Sequence, residues 1–177
     1  GIVNRLVFIC EMIVMGITQG MQPIAGYNYG AQQYNRVNKV LKLAIWGATA
    51  VTTLTFLVGE FIPEIAVSLF TTDEGLINRA AEGFRIVVLF FPIVGFQMVT
   101  GNFFQSIGMA NKAIFLSLTR QLLFLLPCLI ILPKFMGAAG IWWSMPISDL
   151  VASIVAGVLL YKQYQTFKKS ESITHKL

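Results

Sequence analysis

Charge is scarce in this 177-residue chain: Asp, Glu, Lys and Arg together make up 12% of it. Soluble domains carry about twice that, roughly 25%. Histidine occurs once, at His175, and cysteine twice, at Cys10 and Cys128. The lone histidine lies in a polar tail and each cysteine sits inside an apolar run. A disulfide scaffold, a zinc site and a histidine general base therefore have no candidate residues. No Gly-rich phosphate loop occurs, which argues against ATP hydrolysis, and no Ser-His-Asp or Cys-His set is present for nucleophilic catalysis. The chain reads as a non-enzyme. The net charge of +5 is not organised as a basic patch interleaved with exposed aromatics, so nucleic acid is not an expected partner.

Apolar side chains are plentiful instead. They form 56% of the chain without counting glycine, against ~45–50% for soluble domains with glycine counted. A domain this small cannot bury that much apolar surface in its own core, so membrane lipid is expected to cover part of it. At about 20 residues per crossing, the length allows four to six spans.

The few charges punctuate the apolar runs. The pattern predicts an all-α, polytopic membrane bundle with five transmembrane helices, at about 2–25, 40–59, 81–110, 113–132 and 141–161. A polar stretch rich in turn formers, 26–36, separates the first two. Residues 61–70 repeat apolar side chains at helical spacing over too short a length to cross, which suggests an interfacial helix. Thr71-Thr72-Asp73-Glu74 looks like a helix N-cap with acids in the first turn. Pro92, Gly95 and Gly101 mark kink or packing points in the third span. The tail, 162–177, is basic and is expected to fray. Alternating connections put eight basic residues on one side (Arg36, Lys39, Lys42, Lys112, Lys162, Lys168, Lys169, Lys176) and four on the other. The positive-inside rule makes the first side, and the tail, cytoplasmic. The chain opens at Gly1 without Met and is apolar from Ile2, which is expected of a cut inside a longer membrane protein.

Three charges lie within spans: Glu11, Arg120 and Asp149. Each costs at least about 2.5–3.5 kcal/mol at bilayer depth and usually faces a bundle interior or a watery cavity. Glu11 suits binding of a cation or cationic substrate, or else is an acid near the outer interface or paired with a helix outside this chain. Arg120 and Asp149 suit a structural ion pair or a shared site. Arg120 lies roughly 12 Å from the Lys112 end and Asp149 roughly 20 Å from Lys162, at 1.5 Å per residue. That offset, about 8 Å, is at the limit of what an Arg side chain bridges. Uncharged polar residues form a second set. Gln19 and Gln22 are spaced to share one helix face, and so are Asn102 and Gln105. Such faces serve helix packing or a substrate cavity.

The stretch Gln19-Gly20-Met21-Gln22-Pro23-Ile24-Ala25-Gly26-Tyr27-Asn28-Tyr29-Gly30-Ala31, followed by Tyr34, Arg36, Val37 and Lys42, closely resembles the signature of the MATE (multidrug and toxic compound extrusion) family, in its MepA-like bacterial branch. Asn102, Phe104-Gln105-Ser106 and Gly108, then Leu116-Ser117-Leu118, Arg120-Gln121 and Pro127, extend the resemblance. Gly137-Ala138-Ala139-Gly140-Ile141-Trp142, Pro146 and Asp149 complete it in the family's order.

The resemblance implies helices eight to twelve of a twelve-helix, two-lobed fold, the N-terminal lobe and the seventh helix lying outside this chain. It implies a multi-pass protein of the bacterial plasma (inner) membrane that expels cationic, often aromatic drugs in exchange for H⁺ or Na⁺, with no cofactor. Glu11 matches an eighth-helix acid implicated in binding cationic substrates. The tenth-helix Asp of some Na⁺-coupled relatives has no counterpart between Arg85 and Lys112, which leaves coupling to Glu11, Asp149 or acids of the other lobe. A flippase of lipid-linked substrates in the same superfamily, and a non-transporting membrane scaffold or subunit, are the alternatives.

Overall fold

A computed structural model describes residues 1–174; His175, Lys176 and Leu177 lie outside it. Among the described residues the chain is helical, with no strand. Helix α1 spans Ile2–Gly30 and α2 spans Tyr34–Phe61. A six-residue helix, α3 (Pro63–Ser68), follows, then α4 (Glu74–Val88) and α5 (Phe91–Ser106). Helix α6 (Ala110–Leu118) runs through a π-helical segment, Thr119–Leu125, into α7 (Leu126–Met136). Helix α8, Ala138–Thr174, is the longest, with 37 residues. Four helices are long and apolar enough to cross a membrane, and α4 with α5, bent by 56° at the break between them, would make a fifth if the pair is one span.

The polar stretch 26–36 is mostly helical rather than a turn. Helix α1 continues through Gly30 and α2 begins at Tyr34, leaving a connection of Ala31, Gln32 and Gln33. The side-chain amide of Asn28 donates back to the Ile24 carbonyl at 2.8 Å, which keeps the polar group within the helix. The chain reverses at Gln32, whose φ of 57° is left-handed.

The bend in the third crossing has a local cause. Pro92 lies in the first turn of α5, where a missing N–H costs nothing, but its ring blocks continuation from α4. Two residues, Leu89 and Phe90, absorb the change of direction. Helix α4 starts at Asp73, whose carboxylate accepts from the Leu76 N–H at 3.2 Å. Glu74 in its first turn and Arg85 in its last both suit the helix dipole. The interfacial segment is shorter than 61–70, because α2 runs to Phe61 and Pro63 begins a new turn.

Helix α5 is central and packs against α1, α2 and α8. Its approach to α2 requires Gly95: a Cβ there would fall 2.8 Å from the Ala48 carbonyl. Two apolar clusters hold the bundle. One, with Met21, Leu41, Phe103, Phe104 and Leu116, lies toward the lysine-rich end. The other, with Val3, Phe84, Val88 and Phe91, lies toward the opposite end. Val51 and Met98 pack against both. Large apolar side chains such as Leu43, Leu54, Ile130 and Phe135 remain exposed, as lipid-facing surface does.

Over residues 162–174 the tail departs from the expectation of fraying, which for 175–177 falls outside the described residues. Helix α8 continues to Thr174. Phe167 is buried and stacks on Tyr34, with ring centroids 4.9 Å apart. Gln163 accepts a hydrogen bond from the Lys112 ammonium at 3.0 Å. These contacts give the polar end a packed face on which to remain helical.

Candidate functional site

Glu11 lies nine residues into α1, within the apolar part of that helix. The π-helical segment carries Arg120, and α8 carries Asp149. These three intramembrane charges converge. The Arg120 Nε donates to Asp149 Oδ1 at 2.9 Å. Its Nη2 lies 3.9 Å from Glu11 Oε1. Asp149 is almost enclosed, whereas the Arg120 and Glu11 side chains are 29% and 28% exposed. One guanidinium thus stands between two carboxylates, one nearly buried and one more open.

The wide turn around Arg120 is accommodated by its neighbours. Pro127 follows the segment and has no N–H to give; its ring also crowds the carbonyl four residues back, at Leu123. The Arg120 carbonyl accepts from the Ser148 hydroxyl of α8 at 3.0 Å. Ser148 and Asp149 are adjacent in sequence, so one turn of α8 secures both the backbone and the side chain of Arg120. π-Helical turns of this kind occur frequently at functional sites.

Two clefts meet at this point. One, of about 400 Å³, is lined by Glu11, Arg120, Asp149 and Ser148 with Phe8, Phe91 and Met145. The other, of about 490 Å³, is lined by Arg120, Gln97, Asn102, Gln105 and Ser117. Gln121 belongs to both. In the second cleft the Gln22 amide donates to Asn102 Oδ1 at 3.0 Å, joining α1 to α5. The Asn102 amide in turn donates to the Met98 carbonyl at 2.9 Å. The buried carbonyl oxygen of Gln97 has no hydrogen-bond partner among the described residues.

Of the residues singled out in the sequence, Glu11, Arg120 and Asp149 form one cluster, and Asn102 and Gln105 line the adjoining cleft. Gln22 reaches that cleft through Asn102. Gln19 does not join them: it is exposed on α1 and lines neither cleft, although three residues from Gln22. Ser148, Gln121 and the π turn itself were not marked as site features. Their signal was adjacency: Gln121 beside Arg120, Ser148 beside Asp149, and Pro127 two residues past the π segment.

The arrangement has binding chemistry and no catalytic set. With all three groups ionised the cluster carries one net negative charge, and aromatic and methionine side chains border it. The chemistry of such a site is compatible with a cation that has an apolar body. Among the described residues no group of three or more His, Cys, Asp or Glu is placed to hold a metal ion.

The residue pattern matches the MatE family over residues 1–130. This chain belongs to the MatE family. The multidrug export protein MepA of Staphylococcus aureus (strain N315) is 25% identical over 161 residues, which cover 91% of this chain and 35% of that protein. MepA of Staphylococcus haemolyticus (strain JCSC1435) is 24% identical over the same extent. Among solved structures, a ligand complex of the MATE multidrug transporter DinF-BH is 38% identical, with a TM-score of 0.85, over 94% of this chain and 37% of that one. A MATE structure in the bent conformation gives a TM-score of 0.88 at 20% identity, covering 97% of this chain and 38% of that one, and shows the shared fold. The chain therefore spans about a third of the length of the relatives it matches. It is a membrane protein of a transporter family, and these relatives are exporters rather than enzymes.

Proposed function

We propose that this MatE chain is the C-terminal part of a secondary active multidrug exporter, which exchanges cationic, aromatic drugs for H⁺ or Na⁺ across the bacterial plasma membrane. The observation that carries this reading is the placement of Glu11 and Asp149 on one Arg120, within apolar helices and beside a cleft. The names of the relatives, multidrug export protein and multidrug transporter, agree with it.

The three charges suggest how exchange works. Asp149 anchors Arg120 through the short bond, while the longer Glu11 contact leaves that carboxylate able to take another cation. A drug cation attracted to Glu11 competes with Arg120 for it. Protonation of Glu11, or Na⁺ at its oxygens, removes the attraction and favours release. Alternating access then requires the two lobes to rock about the cavity, with ion binding biasing which side is open. The other lobe, with the seventh helix, supplies the opposite wall. The lysine-rich end, with the end of α8, faces the cytoplasm by the positive-inside rule.

The net negative cluster favours this reading over a flippase of lipid-linked or polymeric substrates, which is expected to have a larger basic cavity than Arg120 alone provides. A scaffold would have no use for charges gathered at a cleft. The test is dye efflux from vesicles containing the full-length protein, under separate H⁺ and Na⁺ gradients. Cationic dye efflux driven by one gradient supports the proposal. Absence of efflux under both, with protein correctly inserted, overturns it.

A further inference from the structure

A third cleft lies at the lysine-rich end, away from Arg120. It runs between α2 and α8, with Phe103 of α5 among its lining residues, and has a volume of about 310 Å³. Leu41, Ile45, Gly157 and Leu160 make its walls apolar, while Asn38 and Lys42 bring polar groups to it. The volume is at the lower end of the ~300–1,000 Å³ typical of small-molecule sites.

Two further observations say what fits. The first is charge. Lys42 has no ion-pair or hydrogen-bond partner among the described residues. No acid occurs in the sequence between Glu11 and Glu60, nor between Asp149 and Glu171, so neither wall carries a neutralising carboxylate. Lys39 lies one turn from Lys42, and Lys162 lies within the α8 stretch that forms the other wall. The second is the level of the opening. Trp46, one turn from Lys42, is 76% exposed, and Tyr161 and Tyr164, both lining the cleft, are 65% and 45% exposed. Trp and Tyr at such exposure beside lysines mark the headgroup level of a bilayer. The cleft thus has an apolar interior below that level and unneutralised cations at it.

We propose that this cleft binds one anionic phospholipid, with an acyl chain along Leu41, Ile45 and Leu160 and the phosphate against Lys42 and Asn38. Basic clefts between transmembrane helices recognise acidic headgroups by this chemistry. The site is separate from the charge cluster, and it stands whether or not the drug-exchange reading does.

The test uses the full-length transporter carrying this chain, purified in detergent and followed by native mass spectrometry and thermal melting. It is titrated with phosphatidylglycerol, with phosphatidylcholine and with inorganic phosphate. Phosphatidylglycerol is expected to stay bound and raise the melting temperature; phosphatidylcholine binds about fivefold more weakly, and phosphate alone has no effect. Lys42→Gln, at an exposed position, lowers phosphatidylglycerol affinity about fivefold and phosphatidylcholine affinity by less, so the preference between the two lipids shrinks. Gly157→Leu adds bulk to the cleft wall and is expected to weaken both lipids. A Cβ at Gly157 meets only the Phe96 ring, at 3.9 Å, so the substitution starts without a backbone clash. Equal binding of the two lipids, a shift with phosphate alone, or unchanged phosphatidylglycerol binding in Lys42→Gln overturns the proposal.

Discussion

Arg120 and Asp149 are joined by a 2.9 Å hydrogen bond between helices that run in opposite directions, 29 residues apart in sequence. Asp149 is almost enclosed, so Arg120 is its counter-charge as well as its neighbour. Breaking such a pair from one side leaves a charge stranded at bilayer depth.

Arg120→Ala is expected to destabilise the full-length protein by about 3 kcal/mol, the lower end of the range for breaking a buried pair, since Arg120 is partly exposed. Adding Asp149→Asn should recover part of that loss, because the stranded carboxylate is then neutral. Thermal melting of the two single variants and the double variant measures the coupling. Additive losses would show the two side chains to be energetically independent.

Glu11→Gln removes the open carboxylate but retains its shape. Efflux of cationic dyes should fall at least about tenfold, given the interaction energy of charges a few ångströms apart. The melting temperature should change little, because the Glu11 contact with Arg120 is long, at 3.9 Å, and partly solvated. Parallel efflux assays with a cationic and a neutral substrate separate a charge effect from general damage.

Gly95→Ala puts a Cβ 2.8 Å from the Ala48 carbonyl and from the Thr52 hydroxyl. Both groups are fixed on α2, so the helices must part. A loss of about 1–3 kcal/mol is expected, in line with overpacking elsewhere. Gly101→Ala on the same helix meets nothing within 4 Å and serves as the control. Chemical denaturation of both variants in detergent distinguishes them.

Phe167→Ala removes the ring that stacks on Tyr34. The last turns of α8 then lose their main apolar contact, with a cost of about 3 kcal/mol. Limited proteolysis should cut the variant after Leu160 and spare the parent chain. Hydrogen exchange across residues 161–174 should accelerate to match.

The number of crossings was legible because lipid imposes a length and a composition on every span. Pro92 announced a kink, but its angle depends on which side chains of α4 and α5 find partners, and no local pattern encodes that. The ends of the helices were less legible for the same reason. Gly26 to Gly30 look like a turn by propensity, and the segment is helical because Asn28 bonds to its own helix and Ala25 is buried. The tail looked unstructured because Phe167 is isolated in sequence, and its partner Tyr34 is 133 residues away.

Within the site, each charge was visible singly as an expensive residue in an apolar run. Their meeting was harder to foresee. Helix arithmetic left Arg120 and Asp149 offset by about 8 Å, and a long side chain on an irregular turn covers that distance. Gln19 shows the reverse limit, since a shared helix face with Gln22 did not bring a shared environment.

The π-helical segment at Thr119–Leu125 carries one further consequence. A wide turn holds one residue more than the α-helix it interrupts, so the orientation of Arg120 depends on how many residues precede Pro127 as well as on their chemistry. Each residue in an α-helix rotates the chain by about 100°. Deleting a single position between Gln121 and Leu125 would tighten the turn and swing Arg120 away from Asp149 with its side chain unaltered. The guanidinium is aimed by count, and a change of length there disarms the site as surely as a change of residue.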